Sequence, residues 1–358
     1  MKKKSTIRDV AKKAGVSVSS VHIALSGKEG VSSETREHIK AVADELGYQP
    51  NSYASKLKKR TQHVVILLPS ELGDNGYYYP EIWHGIKDYK SSTNANVQFT
   101  EIPFGPNEEK QAINQLKKLI NKGEVDGILT VGNLDSDNIT PQDWNVFSNL
   151  GVAVVFIISQ NHHSSSICCV QPDYKVIGRT MAELICGRVA EYGSILMVAG
   201  NPNWPSHSLV VEGFKEFLTE NNKTNMVYYN HSWTSSDDNY QAILNELKRP
   251  DISACCSVYS IGTVMMCRAL EESGKAGHVF AVGSDLSNKA KAAIRNGVLN
   301  NSIQKNPYAQ GYVGLRTLVD YLENDKTPEE HRIYVGCEVV FKSNLAMYEH
   351  HRYSNLFF

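Results

Sequence analysis

Beyond about residue 62, short apolar runs alternate with amphipathic stretches, and few folds accommodate that pattern. Strand-like runs fall at 64–69, 97–102, 127–131, 152–158, 167–170, 195–199, 226–229, 254–258 and 279–284. Helical periodicity falls between them, at 80–92, 108–122, 175–191, 207–222, 237–248, 262–274 and 287–296. Strands that are apolar on both faces must be covered on both faces, which predicts parallel sheets wrapped by helices. Nine such runs are too many for one small sheet and divide naturally into two doubly wound lobes. The expected division is a first lobe of about 62–190 and 304–330, and a second of about 191–303 and 331–358. Ligands in such sheets bind beyond the carboxyl ends of the strands, so the cleft between facing lobes is the expected pocket.

The first sixty residues are different in kind. They hold 13 Lys or Arg against 6 Asp or Glu, a formal +7, while the rest of the 358-residue chain carries −8. A small basic head on an acidic body suits a polyanionic partner. Three short helical patterns fill the head. One spans about 6–13. Ala14-Gly15-Val16-Ser17 breaks it, and a second runs from a Ser17 cap to about Leu25. The third begins after Val31-Ser32 with a capping-box-like start at Ser33 and stops at Gly47. Two short helices joined by a glycine turn are the mark of a helix-turn-helix unit. The start of its second helix enters the major groove, which puts Val18, Ser19, Ser20 and His22 within reach of bases or phosphates.

Here the sequence resembles a known family. Thr6-Ile7-Arg8-Asp9-Val10-Ala11, Ala14-Gly15-Val16-Ser17, Val31-Ser32 with Thr35-Arg36, and Leu46-Gly47-Tyr48-Gln49-Pro50-Asn51 are similar to the head of the LacI transcriptional regulators. The resemblance implies a DNA-binding domain over 1–48, a hinge over 49–61 and a ligand-sensing domain over 62–358. It adds Thr6, Ser32, Asn51, Ala54 and Lys58 to the expected DNA contacts. Leu57 falls where the family inserts a hinge leucine into the minor groove, a wedge that unstacks a base step. Lys56, Lys58, Lys59 and Arg60 would meet phosphates beside it. The family often carries a base-reading Arg or His where this chain has Ile23, which leaves the reading to His22 and predicts a different operator.

The body resembles the same family's sensor, which is similar to periplasmic sugar-binding proteins. The matching segments are Tyr78-Tyr79-Pro80-Glu81-Ile82-Trp83-His84-Gly85, Asp173-Tyr174 with Gly178, Glu212-Gly213-Phe214, Val282-Gly283-Ser284-Asp285, and Ile303-Gln304-Lys305-Asn306-Pro307 with Gly311. A sugar is held by carboxylates and amides that pair with hydroxyls and by aromatic faces over its C–H surface. Asp173, Asp285 and Gln304 are candidates for the first role, and Tyr78, Tyr79, Trp204 and Trp233 for the second. Each has a structural alternative. An Asp after a strand also caps the next helix, an aromatic also fills a core, and Gln304 also satisfies backbone groups. Val210, Trp204 and Tyr259-Ser260 stand where the family often carries Arg, a second Arg and an Asn-Asp pair. A neutral sugar therefore fits better than a phosphorylated one.

Other classes are less well served. The basic start leads into no apolar h-region and no run of about 18 apolar residues occurs, which argues for the cytoplasm and against a membrane. Walker A, GxGxxG after a strand, HExxH and GxSxG are all missing, so no enzyme and no cofactor is expected. Cys168-Cys169 and Cys255-Cys256 lie in strand-like runs and read as buried thiols, and His162-His163 as a surface loop. The reading as a whole is an all-α helix-turn-helix domain followed by two doubly wound α/β lobes of periplasmic-binding-protein type. It would act as a homodimeric regulator, most simply a repressor, of an operator in double-stranded DNA, with a carbohydrate effector. The alternative is the solute-binding protein of a sugar transporter.

Overall fold

In the head, Val10, Ala11 and Ala14 of α1 (Ile7–Ala14) meet Val21 and Ala24 of α2 (Val18–Leu25) and Ile39, Val42 and Ala43 of α3 (Ser33–Glu45) in one small core. A computed structural model describes residues 7–25, 30–46, 60–134, 137–160, 165–190 and 193–348, and the chain divides into two compact units, Met1–Thr61 and Gln62–Phe358. Gly15, at φ 67°, makes the turn between α1 and α2. That left-handed conformation is open to glycine at little cost. The Ser17 hydroxyl oxygen then accepts the Ser20 N–H at 3.0 Å and caps α2. The start of α3 differs from expectation. Ser32, not Ser33, is the cap and accepts from the Thr35 N–H at 3.2 Å. Thr35 occupies the position where a capping box carries Glu or Gln, and its hydroxyl lies 2.8 Å from that of Ser32.

The body holds two six-stranded sheets with corresponding strand order. The first contains β1 (Gln62–Pro69), β2 (Val97–Phe104), β3 (Gly127–Val131), β4 (Ala153–Ile157) and β5 (Cys168–Gln171), in the order β5-β4-β3-β1-β2. The second contains β6 (Ser194–Val198), β7 (Val227–Asn230), β8 (Ile252–Ser257), β9 (Phe280–Ser284) and β10 (Asn301–Gln304), in the order β10-β9-β8-β6-β7. All these neighbours pair in parallel. Helices α4 (Tyr79–Ser92), α5 (Glu109–Asn121) and α6 (Pro141–Asn149) belong to the first lobe. Helices α7 (Tyr174–Cys186), α8 (Pro205–Glu220), α9 (Asp237–Leu247), α10 (Ser260–Glu272) and α11 (Asn288–Arg295) belong to the second. Helix α12 (Pro307–Asn324) returns to the first.

Two assignments from sequence are corrected. Helix α7 belongs to the second lobe, because Tyr174, Ile177, Met181 and Ile185 pack in its core; the crossing comes near residue 172, not 190. Strand β11 (Arg332–Tyr334) pairs in parallel with β5 and so lies in the first sheet, not the second. Only β12 (Glu338–Phe341), antiparallel to β10, lies in the second. Strand β11 is a three-residue, largely exposed edge strand with no apolar run to announce it. Helices α6 and α12 were also missed by periodicity; α12 opens on Asn306 in a left-handed conformation and carries two glycines.

Each lobe has one helix pair in near-backbone contact. On α4 and α12, a Cβ added to Gly85 would lie 2.1 Å from the Tyr308 carbonyl oxygen, and one on Gly311 2.2 Å from that of Ile82. On α7 and α8, a Cβ on Gly178 would lie 1.9 Å from the Val210 carbonyl oxygen, and one on Gly213 2.1 Å from that of Lys175. The reciprocal pairs fix how the first helix of each lobe crosses its neighbour.

Candidate functional site

The cleft between the lobes is lined at the carboxyl ends of strands from both sheets, as the strand order demands. Pro69, Phe104 and Val131 end β1, β2 and β3, Ile158 follows β4, and Trp204, Tyr259, Asp285 and Lys305 follow β6, β8, β9 and β10. The cavity measures about 400 Å³, enough for a monosaccharide. Two of its residues, Ile158 (φ 68°) and Asp285 (φ 65°), sit in the left-handed region. For a β-branched residue this is a genuine outlier, and such strain concentrates at binding sites.

Of the residues expected from sequence, Tyr78, Tyr79, Trp204, Trp233 and Asp285 are brought together here. Tyr78 and Tyr79 meet edge to face at 5.9 Å, and Trp204 and Trp233 lie 5.5 Å apart. The two others are elsewhere. Asp173 lines a separate depression, and its carboxylate accepts the Val176 N–H at 3.1 Å as the cap of α7, the alternative open to it from sequence. Gln304 does not line the cleft, because the strand's pleat turns its neighbour Lys305 there instead.

The structure adds groups the sequence did not single out. Lys305, 5% exposed, donates to the Val258 carbonyl at 3.0 Å and faces Asp285 Oδ2 at 3.2 Å. The Ser260 hydroxyl donates to the same carboxylate at 2.6 Å, while its Oδ1 has no hydrogen-bond partner. Burial raises the Asp285 carboxyl above the ordinary carboxylate range, outweighing the pull of Lys305. Gln310 Nε2 donates to the Tyr78 hydroxyl at 2.9 Å, and burial drives that phenol well above its usual value. Lys305 was legible as part of the Gln304-Lys305-Asn306 run, and Tyr259 as part of the pair standing where the family often carries Asn-Asp; His207 gave no signal in sequence.

His207 stacks on Tyr259 with centroids 4.9 Å apart, and its Nδ1 accepts the Asn201 N–H at 3.0 Å. Accepting at Nδ1 requires the neutral ring. Burial, helped by the nearby Lys305 charge, lowers its pKa to about 3. A histidine depressed in the fold binds its proton more readily when unfolded. Its contribution is therefore complete above the unfolded value of about 6.5 and is lost as pH falls towards 3. We expect up to about 1.4 kcal/mol of stability lost per pH unit across that window. Urea melts at pH 7, 6 and 5 check this, with His207→Gln giving a flatter profile.

In the head, Val18 is 43% exposed at the start of α2, and the Ser20 hydroxyl lies 2.9 Å from that of Ser17 within the cap. Ser32 also serves as a cap. Thr6, Asn51, Ala54, Leu57 and Lys58 lie outside the described residues, as do the side chains of Ser19 and His22 and the pair His162-His163. Arg36, on α3, was not expected as a functional residue. Its guanidinium donates to the Ala24 carbonyl at 2.9 Å and the Ile23 carbonyl at 3.3 Å, closing the carboxyl end of α2. Charged hydrogen bonds of this kind contribute about 1.5–3 kcal/mol. Arg36→Gln should lower DNA affinity severalfold without moving the unfolding midpoint of the body, as read by anisotropy and a thermal melt.

A three-helix DNA-binding head and a two-lobed sensor with a cleft at its strand ends define a ligand-responsive DNA-binding regulator. The chain belongs to the LacI family of bacterial transcriptional regulators. Residues 6–51 match the model of bacterial regulatory proteins of the lacI family, and residues 65–326 match the periplasmic binding protein domain. It is 26% identical over 330 residues to catabolite control protein A of Staphylococcus aureus, covering 90% of this chain and 94% of that one. The corresponding protein of Staphylococcus epidermidis is 25% identical over 343 residues, covering 94% and 98%. Among solved structures, a putative LacI transcriptional regulator from Bacteroides fragilis superposes with a TM-score of 0.67 at 16% identity, covering 81% of this chain and 100% of that one. A periplasmic ribose ABC transporter protein from Conexibacter woesei gives 0.67 at 20%, covering 80% and 94%. A solute-binding protein from Burkholderia graminis in complex with D-arabinose gives 0.68 at 15%, covering 80% and 98%. These structures share the fold. Among the described residues no helix is long and apolar enough to cross a membrane, and no three His, Cys, Asp or Glu are grouped to hold a metal.

Proposed function

We propose that the chain works in the cytoplasm as a homodimeric repressor whose two heads grip a pseudo-palindromic operator and whose cleft takes a monosaccharide. Val18, Ser19, Ser20 and His22 would face the major groove, with Leu57 of each hinge as the minor-groove wedge. Tyr78, Tyr79, Trp204 and Trp233 would cover the sugar ring, and Asp285 would accept from its hydroxyls. No chemical step is assigned to the chain. The observation that carries this reading is the presence, in one chain, of a helix-turn-helix head and an aromatic cleft of monosaccharide size. The sugar switches DNA affinity only if it binds one arrangement of the body better than another. Several neighbours in fold bind sugars for transport, but a transport protein has no use for the basic head.

The test is anisotropy of the full chain on genomic fragments, titrated with salt and sugars. DNA affinity should fall steeply and linearly on a log–log plot as salt rises, as counterion release requires. A sugar should then change it further. Binding that ignores both salt and every sugar would sink the proposal.

A further inference from the structure

A second cavity lies at the other end of the second sheet from the cleft. It measures about 680 Å³, within the range of ligand pockets. Ser253, Phe280 and Asn301 line it near the amino ends of β8, β9 and β10, together with Phe341, the partner of Asn301 at the end of β12. The five residues of β9 put it roughly 16 Å from the cleft, at about 3.3 Å per residue. Arg188, just past α7, and His278, just before β9, also line it, and among the described residues no carboxylate does. Neither of these two side chains has a hydrogen-bond or ion-pair partner among the described residues. Two other polar side chains are occupied. The Ser253 hydroxyl donates to the Ser194 carbonyl at 3.3 Å, and Asn300 Oδ1 accepts the Ala281 N–H at 2.8 Å. Asn301 differs from both. It is 1% exposed, yet neither its Nδ2 nor its Oδ1 has a hydrogen-bond partner. A buried amide left unpaired at both ends costs free energy that a ligand recovers.

We infer that this cavity is a second ligand site, for a small hydroxy carboxylate with an apolar body. Arg188 presents a planar fork that matches a carboxylate through two parallel N–H bonds, and His278 adds a ring N–H. The Asn301 amide matches a carboxylate with a hydroxyl beside it, since Nδ2 donates to the one and Oδ1 accepts from the other. Leu184, Val189, Phe280 and Phe341 supply apolar wall for the rest of the molecule. The inference goes beyond the sugar-effector reading and does not depend on it, because the two cavities share no lining residue.

Calorimetric titration of the full chain with 3-phenyllactate and 2-hydroxyisocaproate, the amide of each and the hydroxyl-free acid of each tests this. At least one hydroxy acid should bind about tenfold or more tighter than its amide, which keeps the shape and loses the charge. It should bind severalfold tighter than the acid without the hydroxyl. Arg188→Met should abolish that binding and leave salt-sensitive DNA affinity, and any response to sugars, as in the parent. Asn301→Leu should abolish it too, with an unfolding midpoint no lower than the parent's, because an apolar side chain of similar volume leaves nothing unpaired. The inference falls if neither hydroxy acid binds, if an amide or a hydroxyl-free acid binds as tightly, or if Arg188→Met changes nothing. It falls equally if Asn301→Leu melts earlier, since the fold and not a ligand would then be using the amide. The sugar-effector reading stands in each of these cases.

Discussion

Gly178→Val is expected to cost the body more than about 3 kcal/mol, the upper range for overpacking a well-filled core. An added Cβ at this position would lie 1.9 Å from the Val210 carbonyl oxygen and 2.7 Å from the Phe214 nitrogen. Backbone atoms cannot rotate away as a side chain can. Helices α7 and α8 would have to separate, opening the core around Phe214 and Met181. Gly213→Val on the facing helix should cost as much, since its Cβ would meet the Lys175 carbonyl at 2.1 Å. The double variant should cost less than the sum, because one separation relieves both clashes. Gly336→Ala is the control: nothing lies within 4 Å of its added Cβ, and its melt should stay close to the parent's. Urea unfolding midpoints decide the matter. A Gly178→Val body as stable as the parent would show that the helices are not in backbone contact.

Lys305→Met should destabilise by about 3–5 kcal/mol, the range for breaking a buried ion pair from one side. It removes the partner 3.2 Å from the Asp285 carboxylate and leaves an ion only 2% exposed. Asp285→Asn should cost a similar amount for the opposite reason, stranding the ammonium; asparagine tolerates the φ of 65°, so the backbone is spared. Lys305→Met with Asp285→Asn should recover much of the loss, since neither charge then lacks its partner. The same variants should lose the effect of sugar on DNA binding while keeping salt-sensitive DNA affinity. Additive losses in the double variant would mean that the two groups do not stabilise one another.

Within the described residues, the helices of the head were legible almost residue by residue. Its helices are set by local signals: the Gly15 turn, the Ser17 cap, and apolar spacing that becomes the Val10, Val21 and Ile39 core. Its one misreading, the cap of α3, was a slip of a single residue between adjacent serines. In the body, the nine strands from β1 to β9 were legible, because burial leaves a continuous apolar signature, whereas β10 and β12 were not among the apolar runs. Nor was strand β11, because an edge strand owes its existence to the neighbour it pairs with. The segments around Gly85, Gly178, Gly213 and Gly311 are among those that match the family's sensor; the structure gives these four glycines a packing role, as the points where helices touch.

The amino-acid sequence by itself determined the class: a basic three-helix head, a body of parallel sheets, and the aromatic residues that line the cleft. Those follow from local propensity, periodicity and charge, which act between residues near in the chain. What only the tertiary structure decided is the charge inside that cleft. Whether Lys305 is available to a ligand or paired with Asp285, and whether Asp173 faces the cavity or caps a helix, depends on where strand ends from two lobes converge. Electrostatics act through space, and the groups that set the balance here, Asp74, Glu109, Asp285 and Lys305, are far apart along the chain.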